Sequence, residues 1–182
     1  MMTVVTAGAL LCATACAPFG PSEPHLQGTL SVNGDYDIET NFDMPAPAAT
    51  VSGPASPAAG PSTCADYVKG GGTAGTFELP SVEASDDTTL YLTAQMTSGY
   101  TGPRMYTNAA NPGLTGQVVV STSAGQGPIF TTYRSARGGS SKLRVNRDGS
   151  GTLSFSDWGS TETRGTYIAG FIDGVMTWTC HD

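Results

Sequence analysis

Six oxygen-bearing side chains recur between residues 146 and 157 at a spacing that could bind a calcium ion. They occupy loop places one, three, five, seven, nine and twelve: Asn146, Asp148, Ser150, Thr152, Ser154 and Asp157. Calcium loops of the EF-hand type use this spacing and need glycine at place six, which is Gly151 here. Place twelve carries Asp instead of the longer Glu, and the flanking residues alternate at period two. A glycine-rich β-hairpin without an ion explains the same pattern, and we favour it.

The residue pattern supports nucleophilic or acid–base catalysis less than it supports calcium binding. The sequence contains no G-x-S-x-G elbow, and its two histidines, His25 and His181, lie near the ends of the predicted domain. A serine triad needs a histidine held in a rigid cleft. Asp86-Asp87 could serve glycoside hydrolysis, but neighbouring strand residues face opposite ways and residues 80–87 predict a turn. We therefore predict no catalytic residue and no cofactor.

Three aromatic residues lie in segments predicted as glycine-rich or polar loops: Tyr100, Tyr106 and Trp158. An exposed aromatic ring in a loop can stack on a sugar or a peptide, so these residues are candidate ligand contacts. The alternative, which we favour, is that they are partly buried and anchor their loops.

The start of the chain combines a short apolar stretch with a cysteine. Residues 4–11 are apolar or small, and the tripeptide Ala-Thr-Ala at 13–15 leads directly into Cys16. This order is typical of a secretory signal peptide. These residues resemble the lipobox of bacterial lipoproteins, which implies a signal peptide over residues 1–15 and a lipid on Cys16. The same tripeptide is also an ordinary A-x-A cleavage site, which would give secretion without a lipid.

The four cysteines divide between the leader and the domain. Cys12 belongs to the leader and Cys16 to the lipid, which leaves Cys64 and Cys180. In an oxidising exterior, two remaining cysteines most simply form one disulfide. Two isolated cysteines and two distant histidines match no metal-ligand spacing, so a metal site is not predicted.

The net charge of the chain argues against two classes of binding partner for the domain. The chain has 15 Asp and Glu against 8 Lys and Arg, a net charge of -7, and its cations are interleaved with acids. Nucleic acids and acidic membrane surfaces attract basic proteins, so neither is predicted to bind the domain. No cation precedes Lys69. Because signal peptides open with a basic residue, we expect a basic segment upstream of the assigned start.

Alternating apolar and polar residues predict strands through most of the chain. Leu26 to Val32 and Tyr36 to Phe42 alternate on either side of an Asn33-Gly34 turn signal, which predicts a hairpin. Further strands are predicted over residues 76–79, 89–96, 117–122, 129–133, 142–145, around 153–155, 165–169 and 174–180. No segment shows a sustained helical period. The predicted fold class is all-β, an antiparallel β-sandwich or barrel-like domain.

These patterns give a three-part layout. Residues 1–15 are the predicted signal peptide, residues 16–25 the lipidated cysteine and its tether, and residues 26–182 a single β domain. Five prolines among Ala, Ser and Gly at about 44–62 predict a flexible insert within that domain.

The last strands carry a family resemblance. Residues 151–155 spell GTLSF, followed by Gly165-Thr166 and by MTWTC over residues 176–180. In these motifs and in its layout, the chain resembles small actinobacterial surface lipoproteins, of which the mycobacterial lipoprotein antigens of the LpqH type are examples. Those proteins join a lipobox and an Ala/Ser/Pro tether to a β-rich domain that ends in a bridging cysteine. The resemblance implies a cell-envelope protein without a defined enzymatic activity.

The sequence therefore predicts an exported lipoprotein with a non-catalytic binding or structural domain. We expect a monomer anchored by its N-terminal lipid at the outer face of the cytoplasmic membrane, with a cell-wall glycan or a protein as partner. One alternative is a secreted hydrolase or carbohydrate-binding accessory domain that uses loop aromatics and acids. Another is a carrier that holds a small apolar ligand in an interior pocket.

Overall fold

The structure, a computed structural model, describes residues 23–47, 60–70, 75–85, 88–124, 127–161 and 170–182. Several predicted features lie outside these ranges. They are the signal peptide over residues 1–15, Cys16 with the tether up to residue 22, residues 48–59 of the insert, Asp86, Asp87 and the strand over residues 165–169.

Within these ranges the chain forms eleven strands, one short α-helix and one 3-10 turn. The strands are β1 (His25–Gly34), β2 (Ile38–Pro45), β3 (Phe77–Glu78), β4 (Val82–Ser85), β5 (Thr88–Met96), β6 (Met105–Thr107), β7 (Leu114–Ala124), β8 (Gly127–Arg134), β9 (Ser140–Val145), β10 (Gly151–Thr161) and β11 (Phe171–His181). The helix is α1 (Cys64–Tyr67), and the 3-10 turn is Ser135–Arg137. Among the described residues, no helix is long and apolar enough to span a membrane.

The strands form one antiparallel sheet in the order β2-β1-β11-β10-β8-β7-β5-β3. β4 also pairs with β5, while β9 pairs with both β10 and β6. The sheet curls into a half-barrel, which confirms the predicted all-β, barrel-like class.

The N-terminal hairpin forms as its alternation predicts. β1 and β2 pair from Val32–Ile38 to His25–Pro45. Gly34 adopts a φ of 116°, a left-handed conformation that glycine reaches at little cost. β2 extends to Pro45, so the predicted insert begins later than its composition suggests.

One strand was wrongly predicted as part of a turn. Residues 80–87 were assigned to a turn, but β4 occupies Val82–Ser85 and pairs with β5. Val82 and Ala84 are buried and alternate with exposed Glu83, so even this short segment has an inner and an outer face.

The concave side of the half-barrel holds a single hydrophobic cluster. Strands β1 and β3 to β11 contribute buried side chains to this cluster, and Ile38, Phe42 and Met44 of β2 pack against it. The largest fully buried members are Trp158, Tyr106, Tyr133, Phe77, Leu26, Leu30, Leu79, Leu90, Leu92, Met96, Leu143 and Leu153.

β10 divides the sheet at a β-bulge. Its first part pairs with β9 up to Ser156, and its last part pairs with β8 from Gly159 onward. Between them Asp157 has a φ of 54°, a left-handed conformation that is uncommon for residues other than glycine. Trp158 follows at once and fills the gap on the inner side, where it stacks on Phe155 with ring centroids 4.2 Å apart.

The predicted disulfide is confirmed. Cys64 and Cys180 are bridged, with their Cα atoms 5.8 Å apart and a sequence separation of 116. The bridge ties α1 to the end of β11, and the Cys64 backbone N–H donates to the Asp182 carboxylate.

Thr63 caps α1 by accepting from the Asp66 N–H at 3.0 Å. The Lys69 ammonium, with Ser62 and Thr63, lowers the pKa of Asp66 to about 2.

Candidate binding groove

A groove of about 590 Å³ crosses the outer face of the sheet, and we call it the outer groove. Its floor consists of polar side chains from three strands: Thr93 and Gln95 of β5, Thr115 and Gln117 of β7, and Arg134 at the end of β8. One wall contains Glu78 and Ser81, and the other contains Ser135 and Ala136.

Strand register places these side chains in two rows. Gln117 lies opposite Thr93 on one side and opposite Arg134 on the other. In the second row, Gln95 lies opposite Glu78 on one side and Thr115 on the other. Neighbouring strands lie about 4.8 Å apart, so the first row covers roughly 10 Å of the sheet.

The groove forms because β8 ends early beside β7. After Arg134 the chain turns through Ser135–Arg137 and leaves Thr115 and Gly116 without a ladder partner on that edge. The Gly116 N–H donates instead to the Ser135 hydroxyl at 3.2 Å. Trp158 supports the floor from the inner side, because a Cβ added to Gly116 would lie only 2.3 Å from its ring.

The polar groups on the groove floor are not used within the fold. Among the described residues, the side chains of Thr93, Gln95, Thr115, Gln117 and Arg134 make no hydrogen bond or ion pair. Thr93, Gln95, Thr115 and Arg134 are also exposed. Their donors and acceptors are therefore available to solvent or to a ligand.

An exposed aromatic ring adjoins the groove. Tyr91 precedes Thr93 by two residues on the same face of β5 and is 42% exposed. Its hydroxyl donates to Glu83 Oε1 at 2.9 Å, which raises the pKa of Tyr91 and fixes the orientation of its ring. Sequence reasoning missed this residue because it lies in a strand and not in a loop.

The three candidate aromatic contacts are buried, which agrees with their favoured interpretation as loop anchors and not with exposed ligand contacts. Tyr100, Tyr106 and Trp158 are 5%, 1% and 1% exposed. Tyr100 stacks between Phe77 and Tyr106, at centroid distances of 4.5 and 5.4 Å. The loops fold back over the end of the core, and the rings anchor them from within.

Hydrogen bonds complete this anchoring role. The Tyr100 hydroxyl donates to the Val68 carbonyl at 2.7 Å, and burial raises the pKa of Tyr100. The Tyr106 hydroxyl donates to the Gly102 carbonyl, and Trp158 Nε1 donates to the Ser141 hydroxyl at 3.1 Å. Each polar tip therefore has a partner inside the fold, as buried Tyr and Trp require.

The calcium pattern folds as a β-hairpin and not as an ion-binding loop. Asp148 Oδ1 accepts from both the N–H and the hydroxyl of Ser150, which lowers the pKa of Asp148. Asn146 also donates to the Ser150 hydroxyl at 2.9 Å. Asp157 lies seven residues beyond Ser150 along β10, roughly 20 Å away in an extended strand. In the described ranges, no three His, Cys, Asp or Glu residues are grouped to hold a metal.

A second cavity of about 340 Å³ adjoins α1 and the described ends of the insert. Pro47, Pro61 and Phe77 contribute to its lining, together with Asp66 and Lys69. These two charged groups bond to each other at 2.6 Å. Because Asp66 and Lys69 satisfy each other, they offer a ligand less than the polar floor of the outer groove does.

No protein-family model, curated protein or solved structure matches the chain. The choice of a candidate site therefore rests on the geometry of the chain's own residues, and on that basis the outer groove is the strongest candidate.

Proposed function

We propose that this protein is an exported, lipid-anchored module whose β domain binds a glycan in the outer groove without catalysis. The observation that carries the proposal is a set of five polar side chains on the groove floor that have no partner among the described residues. These residues are Thr93, Gln95, Thr115, Gln117 and Arg134.

The chemistry of the groove suits a neutral, hydroxyl-rich ligand. Gln95 and Gln117 each offer an amide donor and acceptor, and the two threonines offer hydroxyls that do both. Sugar hydroxyls need this mixture of donors and acceptors. Tyr91 adds a ring face on which a sugar can stack. An apolar ligand would instead leave five polar side chains desolvated without partners, which is costly.

The groove supports binding better than hydrolysis. Glycoside hydrolases use two carboxyl groups, about 5 to 10 Å apart, on either side of the bond they cleave. Among the described residues that line the outer groove, Glu78 supplies the single carboxyl group. We therefore propose a binding module, with a cell-wall glycan as its partner.

The proposed location depends on the start of the chain and on the disulfide. The Ala-Thr-Ala-Cys sequence at 13–16 supports export and lipidation at Cys16. The Cys64–Cys180 bridge supports an oxidising compartment, because disulfides persist outside the cytosol. Together with the lipoprotein resemblance, these features favour the outer face of the cytoplasmic membrane.

The groove is tested by binding of the purified chain to soluble envelope polysaccharide from its native host, measured by calorimetry. Gln117→Ala should weaken binding about 3- to 10-fold, because it removes hydrogen bonds to a neutral ligand. Arg134→Ala should weaken binding at least about 10-fold, because hydrogen bonds from a charged group are stronger.

Asn41→Ala is the matched control, because it removes an exposed amide from β2, which is not a groove strand and lies at the far end of the strand order from β5 and β3. It should leave the affinity unchanged. Equal effects of Asn41→Ala and Gln117→Ala, or no binding by the native chain, would reject the groove as a glycan site.

The anchor is tested separately by intact-mass analysis of the protein from host membranes. The native chain should carry a diacylglyceryl group on Cys16, and Cys16→Ala should release the protein into the medium. Unmodified protein that starts at residue 16 and is found wholly in the medium would exclude the lipid anchor.

A further inference from the structure

An apolar surface continues the outer groove along the outer face of the sheet. Tyr91 of β5 lies directly opposite Val119 of β7. Phe130 of β8 lies opposite Ser121, the next outward residue of β7. Tyr91 is 42% and Phe130 is 51% exposed, and Val119 between them is half-buried. We call Tyr91, Val119 and Phe130 the apolar strip.

The apolar strip and the groove floor share one face of the same strands. Because Val118 of β7 is buried and successive strand residues face opposite ways, Thr115, Gln117, Val119 and Ser121 point outward. The first two belong to the groove floor. The run from Thr115 to Ser121 measures about 20 Å, at about 3.4 Å per residue. The surface along β7 therefore changes from polar to apolar without leaving this face.

The two exposed rings of the apolar strip are separated by more than the width of one sugar ring. Tyr91 and Phe130 lie two strands apart across the sheet and two residues apart along it. This places them about 12 Å apart, at about 4.8 Å per strand and about 3.4 Å per residue. One sugar ring cannot cover both, so each aromatic ring has to stack on a different unit of a chain.

Hydroxyl residues alternate with the apolar strip. Thr132 lies opposite Val119, and Ser121 lies opposite Phe130. Sugar rings carry C–H groups on their faces and hydroxyls around their edges, which suits this alternation. The core of a protein interface is instead a continuous apolar patch. The arrangement therefore favours a glycan over a second protein.

The orientation of Tyr91 leaves its ring faces open. Its hydroxyl donates to Glu83 on the neighbouring strand β4 at 2.9 Å. Because a phenol hydroxyl lies at the ring edge, this bond holds the Glu83 carboxylate beside the ring and not above it. A sugar can then stack on the exposed ring face.

One charged side chain, Arg134, lies among the outward residues of the three strands that carry the strip and the groove floor. These residues are Thr89, Tyr91, Thr93, Gln95, Thr115, Gln117, Val119, Ser121, Phe130, Thr132 and Arg134. Arg134 lies at the groove and four residues from Phe130 along β8. The surface along β7 therefore suits an uncharged chain.

We propose that the outer groove and the apolar strip form one continuous site for a linear, uncharged glycan chain that lies along β7. Gln117 and its neighbours would bond to hydroxyls at one end of the bound segment. Tyr91 and Phe130 would stack on sugar rings farther along. The inference rests on the glycan function proposed above, and it adds the length of the ligand and its direction on the sheet.

The test compares two lengths of the same glycan by calorimetry with the purified chain. Soluble envelope polysaccharide from the native host is partly hydrolysed and separated into disaccharide and octasaccharide fractions. A disaccharide is shorter than the combined site and should occupy the polar groove. The native chain should bind the octasaccharide at least about 25-fold more tightly, since each stacked ring contributes about fivefold.

Substitution of Phe130 gives the decisive measurement. A long fragment can bind in several registers, which raises its affinity for every variant alike. Phe130→Ala should weaken octasaccharide binding about fivefold and leave disaccharide binding unchanged, because one stacked ring is lost. Phe130→Tyr keeps the ring and should retain the native affinity for both fractions. Gln117→Ala should weaken binding of both fractions, because both occupy the groove.

Phe171→Ala is the matched control. Phe171 is an outward phenylalanine of β11 that is 58% exposed. It lies two strands from β8, opposite Gly159 in the row of Arg134, which places it more than about 15 Å from Phe130. Its outward neighbour on β11 is Asp173, so its surroundings are acidic. Phe171→Ala should change neither affinity by more than twofold, and thermal unfolding checks that each variant is folded.

Three results would overturn this inference while leaving the glycan function intact. They are equal native affinity for both fractions, an equal loss for both fractions in Phe130→Ala, and a loss in Phe171→Ala as large as that in Phe130→Ala. Failure of the native chain to bind the polysaccharide or either fraction would overturn the glycan function and this inference together.

Discussion

Two outer faces of the sheet are built from the same types of polar residue but use them differently. On the face of β1, β2 and β11, which we call the paired face, side chains bond to one another. His25 and Gln27 both bond to Asp43, at 3.1 and 2.9 Å. Thr29 bonds to Thr177 at 2.9 Å across the β1–β11 ladder. On the outer groove, the corresponding threonines and glutamines have no such partner among the described residues.

The difference indicates which face stabilises the fold and which face can bind a ligand. Cross-strand pairs on the paired face use their hydrogen-bonding capacity internally, and each contributes a few tenths to about 1 kcal/mol. The groove floor keeps its capacity for an external partner. Composition alone would assign the two faces the same role.

The largest expected effect lies beneath the groove. Trp158→Ala removes a fully buried ring and should lower the free energy of unfolding by about 3 to 5 kcal/mol. Tyr91→Ala, at the exposed aromatic beside the groove, should cost less than about 1 kcal/mol. Chemical denaturation measures both. Similar costs for the two variants would contradict the assignment of Trp158 to the core and Tyr91 to the surface.

Gly116→Ala should have the next largest effect. The new methyl group would lie 2.3 Å from Cη2 of Trp158, and overpacking of this kind costs about 1 to 3 kcal/mol. In a Trp158→Ala background the same change should cost little, because the clashing ring is gone. A double-mutant cycle by denaturation measures this coupling. Additive costs would show that Trp158 does not support the groove floor.

A matched pair of threonine variants tests the comparison directly. Thr29→Ala should lower the free energy of unfolding by about 0.5 to 1 kcal/mol, because it breaks the bond to Thr177. Thr115→Ala, in the groove, should change it by less than about 0.5 kcal/mol. If Thr115→Ala were the more destabilising, the groove would hold internal bonds and the distinction between the faces would fail.

The smallest effect concerns acid stability of the paired face. Hydrogen bonds from Gln27 and His25 lower the pKa of Asp43 below its ordinary value of 3.8. The stabilisation is therefore present above pH 3.8 and is lost as the pH falls through the lowered pKa. Asp43→Asn should reduce the pH dependence of the thermal midpoint between pH 2 and 5, and adding Asn41→Asp to this variant should not restore the native profile. Identical pH profiles for the native chain and Asp43→Asn would contradict the pairing.

Local alternation was sufficient to predict most of the strands. The hairpin of β1 and β2, the long strands β5, β7 and β11, and the turn at residues 146–151 all follow from patterns within about ten residues. β4 and β6 were not identified, because strands of four and three residues carry too little periodicity. The bulge at Asp157 was also missed, since it depends on two different strands meeting one edge of β10.

The candidate sites were predicted less well than the strands. Tyr100, Tyr106 and Trp158 lie in polar segments, where composition permits either an exposed ligand contact or the buried loop anchor that we favoured. The fold buries them because their loops close over the end of the core. The outer groove joins residues 93 to 134 from three strands, and its residues carry no sequence motif that connects them.

The sequence by itself determined the all-β class, the period-two faces of the strands and the pairing of Cys64 with Cys180. These features depend on local alternation and on the small number of cysteines. Only the tertiary structure decided which polar residues are satisfied. That property depends on register and on early termination of β8, which bring distant residues together.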